Sequence, residues 1–138
     1  MRHLTATLAF TVLFSGCSRQ KIIGADDLRS QLTAAISLAA ETETVLDYVS
    51  QHRSTVNFAA GHLAYLSQTA AQDAKELHQS TPTYSIEQQF TQSQQQLDAL
   101  ASQLAALQRQ ATLGQPSATT KDQLEQLRRS LEQIKAGL

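Results

Sequence analysis

The chain has 138 residues, with 11 Lys and Arg against 12 Asp and Glu and a net charge of −1. That length bounds it to one small domain, and the balanced charge excludes the basic field that nucleic-acid binding needs. A single Cys excludes an intrachain disulfide. The lack of Trp, the two Pro and the dominance of Leu, Ala and Gln, all good helix formers, predict an all-α protein with a thin Leu/Ala core.

The chain opens with Met1-Arg2-His3, an apolar run from Leu4 to Phe14, and the small residues Ser15-Gly16 before Cys17. A basic start, a short apolar run and small residues at its end make a secretory signal peptide. The run falls short of the roughly 20 apolar residues that span a bilayer, and polar Ser18-Arg19-Gln20-Lys21 ends it. Leu13-Phe14-Ser15-Gly16-Cys17 resembles the lipobox of bacterial lipoproteins, with Phe14 where Leu is usual. The resemblance covers residues 1–18. It implies cleavage before Cys17, a diacylglycerol on the Cys17 thiol and acylation of the new amine. Residues 1–16 are then the signal peptide, 17–25 the lipidated cysteine and tether, and 26–138 a helical domain. One acyl chain anchors marginally, whereas two or three hold stably. Ser18, rather than Asp, after the cysteine implies by the same resemblance an outer-membrane protein facing the periplasm, or the outer face of the cell membrane in a Gram-positive host.

Asp26 or Asp27 is placed to cap the first helix. From there Leu28, Leu32, Ala35, Ala39, Thr42, Leu46, Val49, Arg53, Val56, Ala60 and Leu63 alternate four- and three-residue steps, a coiled-coil-like seam. The seam shifts to Leu66, Ala70, Ala74 and Leu77, as at a stutter. The isolated Gly61 predicts close approach of a neighbouring helix. No usual turn residue interrupts residues 26–79, which favours one unbroken helix. The weak helix formers at 53–58 mark the alternative, a turn. Pro82 then breaks the chain, and Ser85 with Gln88 reads as a capping box. Ile86, Phe90, Ser93, Leu97, Leu100, Leu104, Leu107 and Ala111 form the seam of a helix over 84–113, ended by Gly114 and Pro116. A last helix over 119–137, capped by Thr119 or Thr120, carries Leu124, Leu127, Leu131, Ile134 and Leu138. Its Glu125, Arg128, Arg129, Glu132 and Lys135 lie at helical pair spacings and mark a solvated face. The pattern allows a long antiparallel helical hairpin or a three- or four-helix bundle. An unbroken first helix leaves its N-terminal half bare and in need of a partner.

No nucleophile elbow and no phosphate-cradling glycine loop occurs, so the chain is not read as an enzyme, and no cofactor is expected. His52, His62 and His78 lack acidic residues four positions away, so a metal site has to be assembled across helices. Glu43 and Asp47 share a face and read as a solvated acidic patch. The face rich in Gln88, Gln89, Gln92, Gln95, Gln96, Gln103, Gln108 and Gln110 is either neutral and solvated or a docking face, since amides bind without the desolvation cost of charges. Tyr48, Phe58, Tyr65 and Tyr84 are either anchors for a partner or core residues.

Together these features point to a lipid-anchored periplasmic helical protein acting by protein–protein contact, as a scaffold, escort or regulator of an envelope assembly. Its expected partners are the membrane, through the anchor, and an envelope protein or a second copy. The contact residues are Leu28, Leu32, Ala39, Gln92, Gln96 and Gln103. Small helical pilotin lipoproteins of secretion systems are a precedent for the architecture, but their usual disulfide is impossible here. The alternatives are a ligand- or metal-binding bundle and an accessory subunit of an enzyme.

Overall fold

The computed structural model describes residues 20–113 and 118–138. Cys17 and the residues expected to form a signal peptide lie outside the described residues, as does the expected stop signal at Gly114 and Pro116. The apolar stripes become four helices: α1 (Ala25–Ser50), α2 (Val56–His78), α3 (Glu87–Thr112) and α4 (Ala118–Ala136). Two short strands, β1 (Lys21–Ile23) and β2 (Ser80–Pro82), and a 3-10 turn (Tyr84–Ile86) complete the fold. The described residues form an all-α four-helix bundle.

Cross-helix pairs set the directions. Gln89 meets Gly137 and Gln103 meets Gln123, so α3 and α4 are antiparallel. Asp47 meets Lys121 and Glu43 meets Arg128, so α4 also runs antiparallel to α1 and closes the ring. The packing is most extensive between α2 and α3, then between α1 and α4. Leu28, Leu32, Leu63, Leu66, Leu77, Leu97, Leu100, Leu104, Leu107, Leu124 and Leu131 fill the core. Removing apolar area from water in this way is the main favourable term. Thr42 and Ser93, polar members of the seams, are fully buried and donate to the i−4 carbonyls of Leu38 and Gln89, both at 2.7 Å. That bond satisfies the hydroxyl without a partner from another helix.

The unbroken first helix is overturned, because the chain reverses at residues 51–55. Gln51 is the C-cap and His52 takes a left-handed backbone, φ 55°. The His52 N–H donates to Val49 O at 3.1 Å and the Arg53 N–H to Tyr48 O at 2.8 Å. This is the Schellman pattern, with His where Gly is usual. The next helix is capped by Thr55, whose hydroxyl accepts from the Phe58 N–H at 3.3 Å. Arg53 and Val56, read as seam residues, are exposed in and beside this turn, and Ala59 rather than Ala60 enters the core. The apparent stutter is α2 starting its own register.

Other local expectations are corrected. Asp26 and Asp27 lie in the first turn of α1, where they complement the dipole, while Gly24 is the N-cap. Ser85 sits in the 3-10 turn, and α3 begins without a side-chain cap, so the capping box does not form. The last helix starts at Ala118, ahead of Thr119 and Thr120. Gly61 is exposed, with open space where a Cβ would stand, so no helix approaches there.

The tether is partly structured. Lys21, Ile22 and Ile23 pair in parallel with Ser80, Thr81 and Pro82, and the Thr83 N–H donates to Ile23 O at 3.0 Å. Pro82 ends an edge strand, a position where its missing N–H costs nothing. Ile23 is fully buried, and its burial holds this miniature sheet on the bundle. One end of the bundle, the base, therefore gathers β1, β2, the start of α1 and α3 and the end of α2 and α4. The other, distal end carries the α1–α2 turn.

Candidate functional site

The contact strip expected at Leu28, Leu32 and Ala39 is overturned: all three are fully buried. The bare half of helix one exists only if that helix is unbroken. Once the chain turns at His52, the N-terminal half of α1 packs against α2 and α4 instead.

Gln92, Gln96 and Gln103 lie along one groove between α3 and α4. Its floor opens into two shallow hollows. One, of about 380 Å³, is lined by Gln92, Gln95, Gln96, Ser130, Gln133 and Ile134. The second, of about 250 Å³, is lined by Gln96, Ala99, Gln103, Gln123, Gln126 and Leu127. Gln103 donates to Gln123 at 3.3 Å, while its own buried Oε1 has no partner. The groove is neutral and rich in amides, a surface suited to hydrogen bonding.

A second surface lies on α2. Phe58, His62 and Tyr65 follow at four and three residues and form one strip. The Phe58 and His62 rings stack with centroids 5.9 Å apart and planes 14° from parallel, and His62 meets Tyr65 at 6.4 Å. An N–H of the His62 ring donates from Nε2 to Glu41 Oε1 of α1 at 2.8 Å, which fixes the imidazole between the two aromatics. Phe58 is 63% and Tyr65 61% exposed, and Tyr48 at the end of α1 is also exposed. Among the described residues Phe90 is the one aromatic side chain in the core. The signal for this strip was present in the sequence, because Phe58 and Tyr65 fall off the seam of Ala59, Leu63, Leu66 and Ala70.

At the distal end the bundle is incompletely filled. A cavity of about 280 Å³ is lined by Leu46, Val49, Val56, Ala59, Leu63, Leu107 and Ala111, with His52 and Ser54 at its edge. It lies beside the α1–α2 turn, with Ala59 and Ala111 among larger Leu and Val side chains. No sequence pattern marks it, since it depends on which layers of three helices face one another.

The polar candidates resolve into pairs. Glu43, read as half of a solvated acidic patch, accepts from Arg128 Nε at 3.0 Å, and Asp47 accepts from Lys121. The hydrogen bond to Asp47 is the main reason the Lys121 ammonium is held above its ordinary pKa. Glu125 is held below the usual carboxylate range, first by its hydrogen bond from Arg129. His78 contacts the Asp98 carboxylate of α3 at 2.9 Å. Among the described residues no three His, Cys, Asp or Glu side chains converge as metal ligands. No described helix is long and apolar enough to cross a membrane.

The chain matches no protein-family model, no curated protein and no solved structure.

Proposed function

We propose that the protein is a lipid-anchored helical protein of the bacterial envelope that works by protein–protein contact, as a scaffold, escort or regulator of an envelope assembly. Its contact face is the strip of Phe58, His62 and Tyr65. One observation carries this reading: the core is built mainly from Leu and Ala, while Tyr48, Phe58, Tyr65 and Tyr84 are exposed. Aromatic side chains offer large contact area at low entropic cost and dominate binding hot spots. The Cys17 lipobox supports the anchor. Cleavage at that point places the bundle outside the cytoplasm, with the outer membrane of a Gram-negative envelope as its site.

The test is photo-cross-linking in intact cells from single positions 58, 65, 92 and 103. A discrete adduct with one envelope protein from position 58 or 65, lost in Tyr65→Ser or Phe58→Ser respectively, supports the reading. Adducts from positions 92 and 103 alone move the contact to the glutamine groove. Self-adducts alone replace the heterologous partner with a second copy of this chain.

The distal cavity favours a second reading, a bundle that holds a small apolar ligand. Filling it with Ala111→Leu then abolishes the rise in Tm produced by alkyl ligands. If no ligand raises Tm in the parent protein, that reading fails.

A further inference from the structure

We infer that the base of the bundle is a lipid-contact surface: Ile22 and Tyr84 sit in the headgroup region of the bilayer and stand the bundle upright on it. This rests on the anchoring of Cys17 proposed above.

Three steps lead to it. The first is reach. Gln20, the first described residue, lies three residues after Cys17, so the connection spans at most ~10 Å even when fully extended. The chain is committed to the fold immediately afterwards, because β1 is paired to β2 and Ile23 is fully buried. A headgroup layer is itself roughly 5–8 Å deep on each side of the hydrocarbon. A lipidated Cys17 therefore holds the base against the membrane, with only a few ångströms for the bundle to stand off.

The second step is what that base displays. Successive strand side chains point to opposite sides, so burying Ile23 turns Ile22 outward, where it is 71% exposed. Tyr84 follows directly on Thr83, whose N–H is bonded to Ile23 O, and it is 90% exposed. Ile22 and Tyr84 thus flank one hydrogen-bonded junction. An exposed isoleucine is unfavourable in water. Tyrosine, with an apolar ring and a polar tip, is enriched at membrane–water interfaces.

The third step is charge. Lys21 is exposed at the base, and so are Asp26, Asp27 and Glu87. One cation against three carboxylates leaves these four residues net acidic, so the surface offers apolar insertion rather than a basic patch for anionic lipid.

The geometry has a consequence for the aromatic strip. Tyr65 and Phe58 lie 13 and 20 residues before the end of α2 at His78, which at 1.5 Å per residue is roughly 20 and 30 Å above the base. An upright bundle holds the strip clear of the lipid, at a fixed height for a partner.

The chain contains no Trp, so a single introduced Trp is an unambiguous probe. Full-length protein carrying Tyr84→Trp, Ile22→Trp or, as the distal control, Tyr65→Trp is produced in bacteria and purified from membranes. It is then reconstituted into phosphatidylethanolamine/phosphatidylglycerol vesicles containing a lipid with a brominated acyl chain near the headgroup. Mass spectrometry of the N-terminal peptide reports acylation, and circular dichroism reports folding. With acylated protein, the expected result is a blue-shifted emission quenched several-fold more in Tyr84→Trp and Ile22→Trp than in Tyr65→Trp. The quenching persists at high salt and is reduced in Ile22→Asn/Tyr84→Trp. Acylated protein with equal quenching at 65 and 84, or with none at 84, overturns the seating while leaving the anchor standing. An unacylated N-terminus overturns the anchoring reading and the seating with it.

Discussion

Arg128 and Glu43 join the last helix to the first. The guanidinium donates from Nε to Glu43 Oε1 at 3.0 Å and from a second nitrogen to Glu132 Oε1 at 2.8 Å, bridging 85 residues of sequence. The cross-helix pair is partly shielded, with the Glu43 side chain 17% exposed. A shielded ion pair is screened less than a surface one, and removing one partner strands the other. Glu43→Gln is therefore expected to lower unfolding free energy by about 0.5–1.5 kcal/mol. A double-mutant cycle with Arg128→Gln, followed by urea denaturation, is expected to return a coupling energy of similar size. A coupling near zero would mean that α4 is held to α1 by its leucines alone.

The turn at His52 makes a sharper prediction. A left-handed backbone costs an L-residue roughly 1–2 kcal/mol, least for Asn and Gly and most for β-branched side chains. His52→Val is expected to destabilise by about 1–2 kcal/mol relative to His52→Asn, although His52 is exposed. Equal stability of the two variants, read from chemical denaturation midpoints, would remove the Schellman turn.

Gly61 lies inside α2, is exposed, and has open space at the Cβ position. Gly61→Ala should therefore raise stability by about 0.5–1 kcal/mol, through helix propensity and a smaller unfolded-state entropy. A loss of stability would indicate a close packing neighbour at that position.

Asp73 supplies a pH dependence. Burial in the first place, and Glu76 one turn on in the second, push its carboxyl above the usual carboxylate range. The fold therefore disfavours the charged form. The penalty is absent below the unfolded pKa of about 3.9 and grows as pH rises through the folded value. Asp73→Asn should be more stable than the parent at pH 7, by about 0.2–0.5 kcal/mol from the like-charge pair alone. The advantage should vanish near pH 3. Thermal melts across pH 3–7 check both ends.

The helical faces were legible because they are written locally. The steps from Phe90 through Ser93, Leu97, Leu100 and Leu104, and from Leu124 through Leu127 to Leu131, place those side chains on one side of a helix whatever it packs against. Those stripes are the core of α3 and α4. The α1–α2 turn was legible only as the less favoured alternative, for the same reason. Arg53 and Val56 happen to continue the four-three count across it, and the left-handed residue is a histidine rather than the usual glycine. The arginine at a seam position and the weak helix formers at 53–58 were the local signs that the seam had ended.

Sequence by itself determined that the chain is helical and which side of each helix is apolar. These follow from periodicity, which needs no knowledge of distant residues. Tertiary structure alone decided which faces meet. It buried Leu28, Leu32 and Ala39, paired Glu43 with Arg128 and His62 with Glu41, opened the distal cavity, and left Phe58, Tyr65 and Tyr84 in solvent. A repeating stripe of Leu and Ala is equally satisfied by several partners. The choice among them is made by the two turns, the 26-residue length of α1 and α3, and the long-range pairs that close the ring.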